Sequence, residues 1–287
     1  MQRKTWTENE IVKIYNEEYI KQHIGCTTLS KKYNVYIYDQ FKKYNLKLRN
    51  DFEKNRKYHC DSDYFKVLDT EQKAYWYGFI LADGCITSSS KKANKLVISL
   101  QEADYKHLEK FNFAINGNYP IAHYSITNGF AIGTKYCRIS VNDNKIASDL
   151  IALGCIKNKS NIAKPPYELP YELRKHFIRG YMDGNGSIAI TKGKNGRIDS
   201  YSIKFVSTDD ILNWIMEHLL FDNVIKRKYP LYKRKKEQIV STLEFGGNNL
   251  SLEFLNYIYK DATVWLERKY ERYQSLLRLK GVVQYDK

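Results

Sequence analysis

Residues 75–84 read Tyr-Trp-Tyr-Gly-Phe-Ile-Leu-Ala-Asp-Gly, and residues 177–186 read Phe-Ile-Arg-Gly-Tyr-Met-Asp-Gly-Asn-Gly. Each stretch has the character of an apolar helix with two small residues four positions apart. These small residues are Gly78 and Ala82 in the first stretch and Gly180 and Gly184 in the second. Residues four apart lie on one helix face, so two such helices can pack with their backbones almost in contact. Asp83 and Asn185, which come next, are then expected side by side at one end of the seam.

The two stretches resemble the motif of the LAGLIDADG homing endonucleases, in the single-chain form that carries two motif copies. The similarity extends over about residues 60–280, with matching flanks at residues 69–76, 153–160 and 259–270. Two motifs in register are a far more specific signal than one. The resemblance implies a site-specific, metal-dependent endonuclease that hydrolyses phosphodiester bonds of a long double-stranded DNA target, an activity tied to intron or intein mobility.

The same order of predicted elements follows each motif. In the first half, alternation of polar and apolar residues predicts a strand at residues 95–101. Further strands are predicted at residues 121–126 and 136–141, and helices at 104–114 and 144–153. In the second half, the predicted elements are strands at 188–190 and 202–206, a helix at 209–220, a hairpin of 224–229 with 239–245, and helices at 250–259 and 263–279. The predicted fold class is therefore α+β, with two pseudo-symmetric αββαββα halves that meet through their LAGLIDADG helices.

The first residues form a different, all-α unit. Thr7 and Glu10 form a predicted capping box, and helices are expected at residues 28–33 and 36–44. This pattern resembles a helix-turn-helix, although a plain three-helix packing module has the same spacing. The outward residues of its last helix, which we expect to contact DNA, are Tyr38, Gln40, Lys42 and Lys43. The expected boundaries are residues 1–49 for this domain, 50–66 for a polar linker, 67–164 for the first half and 165–287 for the second.

Composition independently favours a polyanionic partner. The 287 residues include 47 Lys and Arg against 32 Asp and Glu, a formal net charge of +15. Such an excess suits nucleic acid, because neutralised phosphates release counterions, although a solvated basic face stays open as the simpler interpretation. The five cysteines are odd in number and form no CxxC pair, which excludes a disulfide framework and a zinc ribbon.

Compartment and assembly are also predicted from the sequence. The first residues lack the apolar run of a signal peptide, and no stretch reaches membrane-spanning length. We therefore expect a soluble, intracellular monomer that binds double-stranded DNA and no membrane. The cytoplasm of a bacterial or phage-infected cell is the expected location.

The resemblance assigns the chemistry to the ends of the two motifs. Phosphodiester hydrolysis needs an activated water and charge neutralisation on the phosphate, which divalent metals supply. The resemblance implies a Mg²⁺ (or Mn²⁺) site at Asp83 and Asn185, with Gly84 and Gly186 beside them. Lys159 and Lys269 fall where the family often has a basic residue near the site. Each is almost as readily explained as an ordinary surface lysine.

Asn185 is the departure from the family pattern, which usually has Asp or Glu there. An amide offers a carbonyl oxygen but no charge, which would weaken a metal site and favour cutting of one strand. Three interpretations stay open: a natural enzyme that tolerates a neutral ligand, a degenerate member that binds DNA without efficient cutting, or an engineered inactive version. A non-cutting repressor or RNA-splicing maturase on the same scaffold is the alternative function.

DNA recognition is expected mainly from the predicted strands and from a basic hairpin. The outward polar residues of the strands are Lys95, Ser99, Gln101, Lys135, Arg138, Ser202 and Lys204. The hairpin contributes Lys226, Lys228, Lys233, Arg234 and Lys235. A two-stranded ribbon fits the major groove, and clustered lysines suit phosphate contacts more than base readout. A solvated hairpin tip would explain the same basic run.

Overall fold

The chain divides into two compact units. The computed structural model describes residues 6–49, 57–88, 94–127, 132–156, 159–194, 198–233 and 239–282. The smaller unit comprises Met1–Asp61 with Ile115–Asn118, and the larger comprises Ser62–Ala114 with Tyr119–Lys287. Within the described ranges, no helix has the length and apolar composition needed to cross a bilayer.

The smaller unit is built from short helices around an apolar core. They are α1 (Glu8–Ile14), which continues as a π-helical segment (Tyr15–Lys21), α2 (Cys26–Tyr33) and α3 (Ile37–Lys43). Thr7 and Glu10 form the capping box that starts α1. Asn34 ends α2 in a left-handed backbone conformation (φ 50°). Asparagine adopts this conformation more readily than most residues, and it is common at the ends of helices.

The third helix has a clear inner and outer face. Ile37 and Phe41 are fully buried in the core of the unit. On the other face, Tyr38, Lys42 and Lys43 are exposed and Gln40 is half-buried, and the Lys42 ammonium lies 4.5 Å from the centre of the Tyr38 ring. Two short helices, α2 and α3, thus follow one another after a turn at Asn34. Their interpretation as a DNA-binding helix-turn-helix stays a prediction.

The larger unit contains two halves of the same topology. The first half consists of α4 (Glu71–Asp83), β1 (Gly84–Ser88), β2 (Asn94–Gln101), α5 (Tyr105–Ala114), β3 (Ile121–Ser125), β4 (Lys135–Val141) and α6 (Asn144–Ala152). The second consists of α7 (Tyr171–Asn185), β5 (Gly186–Lys192), β6 (Ile198–Ser207), α8 (Asp209–Phe221), β7 (Leu231–Tyr232), β8 (Ser241–Gly246), α9 (Asn248–Tyr259) and α10 (Glu267–Leu279). The predicted αββαββα order is confirmed, with α10 added at the end of the second half.

Each half has one antiparallel sheet of four strands. The strand orders are β1-β2-β4-β3 and β5-β6-β8-β7. Alternate residues of β2, Leu96, Ile98 and Leu100, are buried, and the register pairs Ile98 with Ile139 of β4. Because successive side chains of a strand point to opposite faces, one face of each sheet is buried and the other remains accessible.

The motif helices α4 and α7 pack with their backbones in contact. A Cβ atom at Gly78 would lie 2.2 Å from the carbonyl oxygen of Phe177, and one at Gly180 would lie 1.9 Å from that of Tyr75. One at Gly184 would lie 2.5 Å from the Ala82 Cβ. Only glycine permits this approach, so the predicted seam between the halves is confirmed.

A buried arginine closes the seam at its other end. Arg179 of α7 is 1% exposed, and its Nη2 donates to Glu71 Oε1 of α4 at 2.6 Å. Its Nε donates to the Val264 carbonyl oxygen at 3.0 Å and its Nη1 to that of Ile258 at 3.0 Å. Burial of this charge is tolerated because its donors meet a carboxylate and two carbonyl oxygens.

Three predicted segments differ from the structure. Residues 62–66, assigned to the linker, pack within the larger unit, where Tyr64 and Phe65 are buried. Residues 224–229 are not a strand, because Val224 and Ile225 are buried in succession without alternation. The strand that pairs with the outer edge of β8 is the later and shorter Leu231–Tyr232. Residues 263–266 are not helical, because their backbone polar groups bond to side chains of the motif helices. Helix α10 begins only at Glu267.

The seam gives a stability prediction. Gly180→Ala places a methyl group against the Tyr75 carbonyl and should destabilise the larger unit by about 1–3 kcal/mol or more, the usual cost of overpacking. Gly25→Ala is the control, because a Cβ there meets nothing within 4 Å. Denaturant unfolding followed by near-UV circular dichroism measures both variants. Equal midpoints for Gly180→Ala and the parent would mean that the helices do not meet at this point.

Candidate functional site

The two motif helices end in the same way. Gly84 and Gly186 follow the last helical residues, Asp83 and Asn185, and both glycines adopt extended backbone angles that begin β1 and β5. A Cβ at Gly84 would lie 2.8 Å from Ile80 Cγ2, and one at Gly186 would lie 2.2 Å from Met182 Sδ. There is no room for a Cβ where the chain leaves each helix, so glycine is required there. Asp83 and Asn185 are therefore the last residues of their helices.

The ends of the two helices converge. The Cβ position of Gly184, next to Asn185, lies 3.5 Å from the Asp83 Cβ. Both Asp83 and Asn185 are exposed at the surface. The seam thus brings a carboxylate and an amide to one accessible place, as the small-residue spacing predicted.

The Asp83 carboxylate is surrounded by charge. Although the side chain is solvent-accessible, the many protein atoms around it desolvate the carboxyl and raise its pKa. The ammonium groups of Lys159 and Lys269 and the Arg268 guanidinium act in the opposite direction, and the Asp104 carboxylate raises the pKa further. The sequence had pointed to the two lysines but not to Arg268 or Asp104.

Both lysines bind the carbonyl oxygens at the helix ends. Lys159 Nζ lies 2.5 Å from the Gly84 oxygen and 3.5 Å from the Ala82 oxygen. Lys269 Nζ donates to the oxygens of Met182 at 2.5 Å, Asp183 at 2.7 Å and Gly186 at 2.8 Å. Each half therefore places one buried lysine on the end of its own motif helix, in pseudo-symmetric positions.

These contacts satisfy groups that an α-helix leaves unpaired. The last carbonyl groups of a helix have no partner within the helix and carry the negative end of its dipole. Burial lowers the pKa of both lysines, that of Lys269 to about 8, and the Asp83 carboxylate acts to raise both. The surface-lysine interpretation is excluded, since Lys159 is 8% and Lys269 3% exposed.

Few protein atoms near Asp83 and Asn185 could serve as ligands for a metal ion. The Gly84 and Gly186 oxygens, which the resemblance places beside the metal site, each accept a lysine donor. The Asn185 Nδ2 donates to the Val206 oxygen at 2.7 Å, so its Oδ1 is the side-chain atom that could contact a cation. In the described part of the chain, no cluster of three or more His, Cys, Asp or Glu is arranged to hold a metal. The residues fit a cation that takes its other ligands from phosphate and water.

Asp183 has a structural position that the sequence did not reveal. It is fully buried, and its carboxylate accepts from the hydroxyls of Tyr75 (2.7 Å) and Tyr259 (2.5 Å) and from the Leu266 amide (2.8 Å). Leu266 precedes α10, the helix that carries Lys269. Asp183 thus fixes the start of that helix, and its carboxylate is engaged there, so it does not replace the residue at 185.

Arg268 joins the two halves near the site. Its Nε donates to Asp104 Oδ2 at 2.9 Å, and Asp104 is 6% exposed. Asp104 follows β2 in the first half, whereas Arg268 lies on α10 of the second. No local sequence signal relates these residues, because 164 positions separate them.

The accessible faces of the sheets carry most of the predicted DNA-binding residues. Lys95, Ser99, Gln101 and Arg138 share the accessible face of the first sheet, and Ser202 and Lys204 share that of the second. Lys135 was wrongly grouped with Arg138. The two residues are three apart on one strand, and alternation therefore places them on opposite faces.

The basic segment of the second half is only partly described. Lys226, Lys228 and Lys233 are exposed. Lys226 Nζ lies 4.0 Å from Glu253 and Lys228 Nζ 4.0 Å from Glu217, so acidic neighbours offset part of this charge. Arg234 and Lys235 lie outside the described residues.

The predicted resemblance is confirmed in the fold. Two αββαββα halves meet through the two motif helices, as in the LAGLIDADG arrangement that the sequence implied.

Comparisons with known proteins give distant likenesses. No family model matches the chain. A segment of 105 residues is 27% identical to the killer toxin KHS of Saccharomyces cerevisiae and covers 36% of this chain but 15% of the toxin. The chain therefore corresponds to a small part of that relative.

Solved structures also resemble this chain. The LAGLIDADG homing endonuclease I-GzeII in complex with a DNA target is 12% identical, with a TM-score of 0.46, over 72% of this chain and 89% of that one. I-SmaMI bound to an uncleaved DNA target in the presence of calcium ions is 11% identical, with a TM-score of 0.46, over 75% and 92%.

The raised pKa of Asp83 predicts that the ionised carboxylate destabilises the folded protein. A carboxyl whose folded pKa lies above its unfolded value stabilises the fold fully only below the unfolded pKa, and that contribution is lost as pH rises through the folded pKa. Asp83→Asn should therefore melt at a higher temperature than the parent at neutral pH. The difference should vanish below about pH 4, near the ordinary carboxyl pKa. Thermal melts across pH measure this, and a variant less stable at neutral pH would contradict the desolvation account.

Proposed function

We propose that this chain is a LAGLIDADG-type, site-specific endonuclease that hydrolyses double-stranded DNA with a divalent metal. The observation that carries the proposal is the convergence of two motif-helix ends, one bearing Asp83 and each held by a buried lysine. A seam that served only to hold the halves together would not need an exposed, desolvated carboxylate beside three cations.

In this proposal the residues of the chain act by position and charge. Asp83 offers an anionic oxygen to a Mg²⁺ or Mn²⁺ ion, and Asn185 offers the neutral oxygen of its amide. The bound metal would neutralise phosphate charge and activate water. Lys159 and Lys269 hold the helix ends that present these two side chains, and their positive charge lies where a scissile phosphate would approach.

Asn185 sets the expected strength of the metal site. Two helix C-termini together contribute about one negative charge, Asp83 contributes one more, and the two lysine ammonium groups offset about two. Arg268 and Asp104, which are paired with each other, cancel. The site is thus close to neutral with Asn185. This observation favours the second candidate function, a repressor or RNA-splicing maturase that binds nucleic acid on the same scaffold without efficient cutting.

DNA contact is assigned to the accessible sheet faces and to the smaller unit. The polar residues on the accessible faces, such as Ser99 and Arg138, are positioned for a duplex, which admits a β-ribbon in its major groove. In the smaller unit, Tyr38, Lys42 and Lys43 on the outer face of α3 are the candidates for a second DNA contact. A single chain supplies both motif helices, so we propose that it acts as a monomer. We also propose an intracellular location, where its DNA partner would be found.

The direct test of the proposal is cleavage of genomic DNA from the source, with and without magnesium. We expect discrete magnesium-dependent fragments from the parent and none from Asp83→Asn, because that carboxylate holds the metal. Binding of the recovered target should remain within a few-fold in the variant, which makes no base contact through this residue. Double-strand cutting by Asp83→Asn would reject the assignment of the site.

Asn185→Asp provides the complementary prediction. An added carboxylate gives the site a negative charge, so magnesium-dependent cleavage should rise, most clearly at low metal concentration, and nicked products should convert to linear ones. Supercoiled plasmid carrying the recovered target, incubated over a magnesium titration, separates the two products. The matched control is Asn144→Asp at the start of α6, which adds the same charge at a residue outside the motif helices. An Asn185→Asp variant with the rate and product ratio of the parent would rule out a carboxylate pair in this protein.

A further inference from the structure

The accessible faces of the two sheets present their cations differently. Arg138 on β4 is paired across the sheet with Ser99 on one side and Ala122 on the other. Lys204 on β6 is paired with Ser187 on one side and Glu244 on the other. Both cations are thus flanked by strands on both sides, but only Lys204 has a carboxylate as its cross-strand neighbour.

The charge of Arg138 is held in place without being offset. Its Nε donates to Ser99 Oγ at 2.9 Å, and its guanidinium carbon lies 5.0 Å from the Tyr124 ring centre and 5.8 Å from that of Tyr136. The two tyrosine rings stack at 5.3 Å with an interplanar angle of 17°. Within the described residues Arg138 forms no ion pair. A guanidinium fixed over aromatic rings keeps its full charge and free N–H groups for a ligand.

The charge of Lys204 is already paired. Its Nζ lies 3.0 Å from Glu244 Oε1, while the Tyr232 hydroxyl donates to Glu244 Oε2 at 2.5 Å. The Glu244 carboxylate is therefore bound from both neighbouring strands, by Tyr232 on β7 and by Lys204 on β6. A phosphate near Lys204 would meet the adjacent carboxylate and would have to break this ion pair.

We propose that the first sheet anchors duplex DNA through Arg138, and that the second sheet adds little phosphate affinity because Glu244 offsets Lys204. This inference rests on the proposed function, which supplies the DNA partner. Each phosphate neutralised by a free cation releases a counterion, and a cation already paired with a carboxylate releases almost none. The first half is then the half that holds DNA when the target sequence is absent.

The test compares variants that each remove one positive charge. Arg138→Gln and Lys204→Gln are titrated with a fluorescently labelled, mixed-sequence duplex over a range of salt concentrations. Arg138→Gln should reduce the slope of log affinity against log salt by about one, as loss of one phosphate contact does, and Lys204→Gln by much less than half of that. Glu244→Gln, which frees Lys204, should steepen the slope relative to the parent.

A fourth variant separates lost charge from lost folding. Arg138→Lys keeps the charge and should retain most of the parent slope, with melting curves of all variants recorded alongside. Equal slope losses for Arg138→Gln and Lys204→Gln, or a full loss in Arg138→Lys, would overturn the inference while the parent still binds. A parent that shows no salt-dependent duplex binding would instead defeat the proposed function, and this inference with it.

Discussion

The close approach of two helix backbones determines the rest of the larger unit. Gly78 and Gly180 each lie against a carbonyl of the opposite helix, at distances that exclude any Cβ. Because this contact fixes the position of α4 relative to α7, it also fixes where their C-terminal ends lie relative to each other. Asp83 and Asn185 are the last residues of these helices, so the position of the proposed site follows from a packing constraint within the seam.

A second consequence of the seam is electrostatic. Two helix C-termini that point to one place concentrate negative partial charge, which has to be balanced. Lys159 and Lys269 provide that balance by donating to the terminal carbonyl oxygens of each helix. The lysines are therefore part of the fold as well as candidates for catalysis, and the loss of either would change stability and charge together. The neutral side chain at Asn185 leaves the arrangement with one acid, which makes its two halves unequal.

The sequence carried enough information for the architecture because most of it depends on local periodicity. Small residues four apart predicted the seam, and alternation predicted β2, β4 and β6 to within a few residues. The predicted strand at residues 224–229 was wrong because Val224 and Ile225 are two successive apolar residues, as in a buried strand, but lack the alternation of a half-buried one. Lys135 was assigned to the wrong face because it was judged by its charge, whereas alternation places it on the same face as the buried Cys137.

The partners of buried polar groups lay beyond prediction. Asp183, Arg179 and Lys269 bond to groups far away in the chain, and neither spacing nor composition relates such pairs. The sequence therefore identified Lys269 as a candidate but not the three carbonyl oxygens that it binds. It likewise missed the Asp104–Arg268 pair, which depends on how the second half packs on the first.

The central claim is that the converging helix ends hold a divalent metal against DNA. Crystals of the protein with its recovered target duplex and Mn²⁺, measured at the manganese absorption edge, test it most directly. We expect an anomalous peak about 2.0–2.2 Å from an Asp83 carboxylate oxygen, an ordinary metal–oxygen distance, and close to Asn185. Manganese bound to the phosphates elsewhere, with Asp83 making no metal contact, would contradict the account.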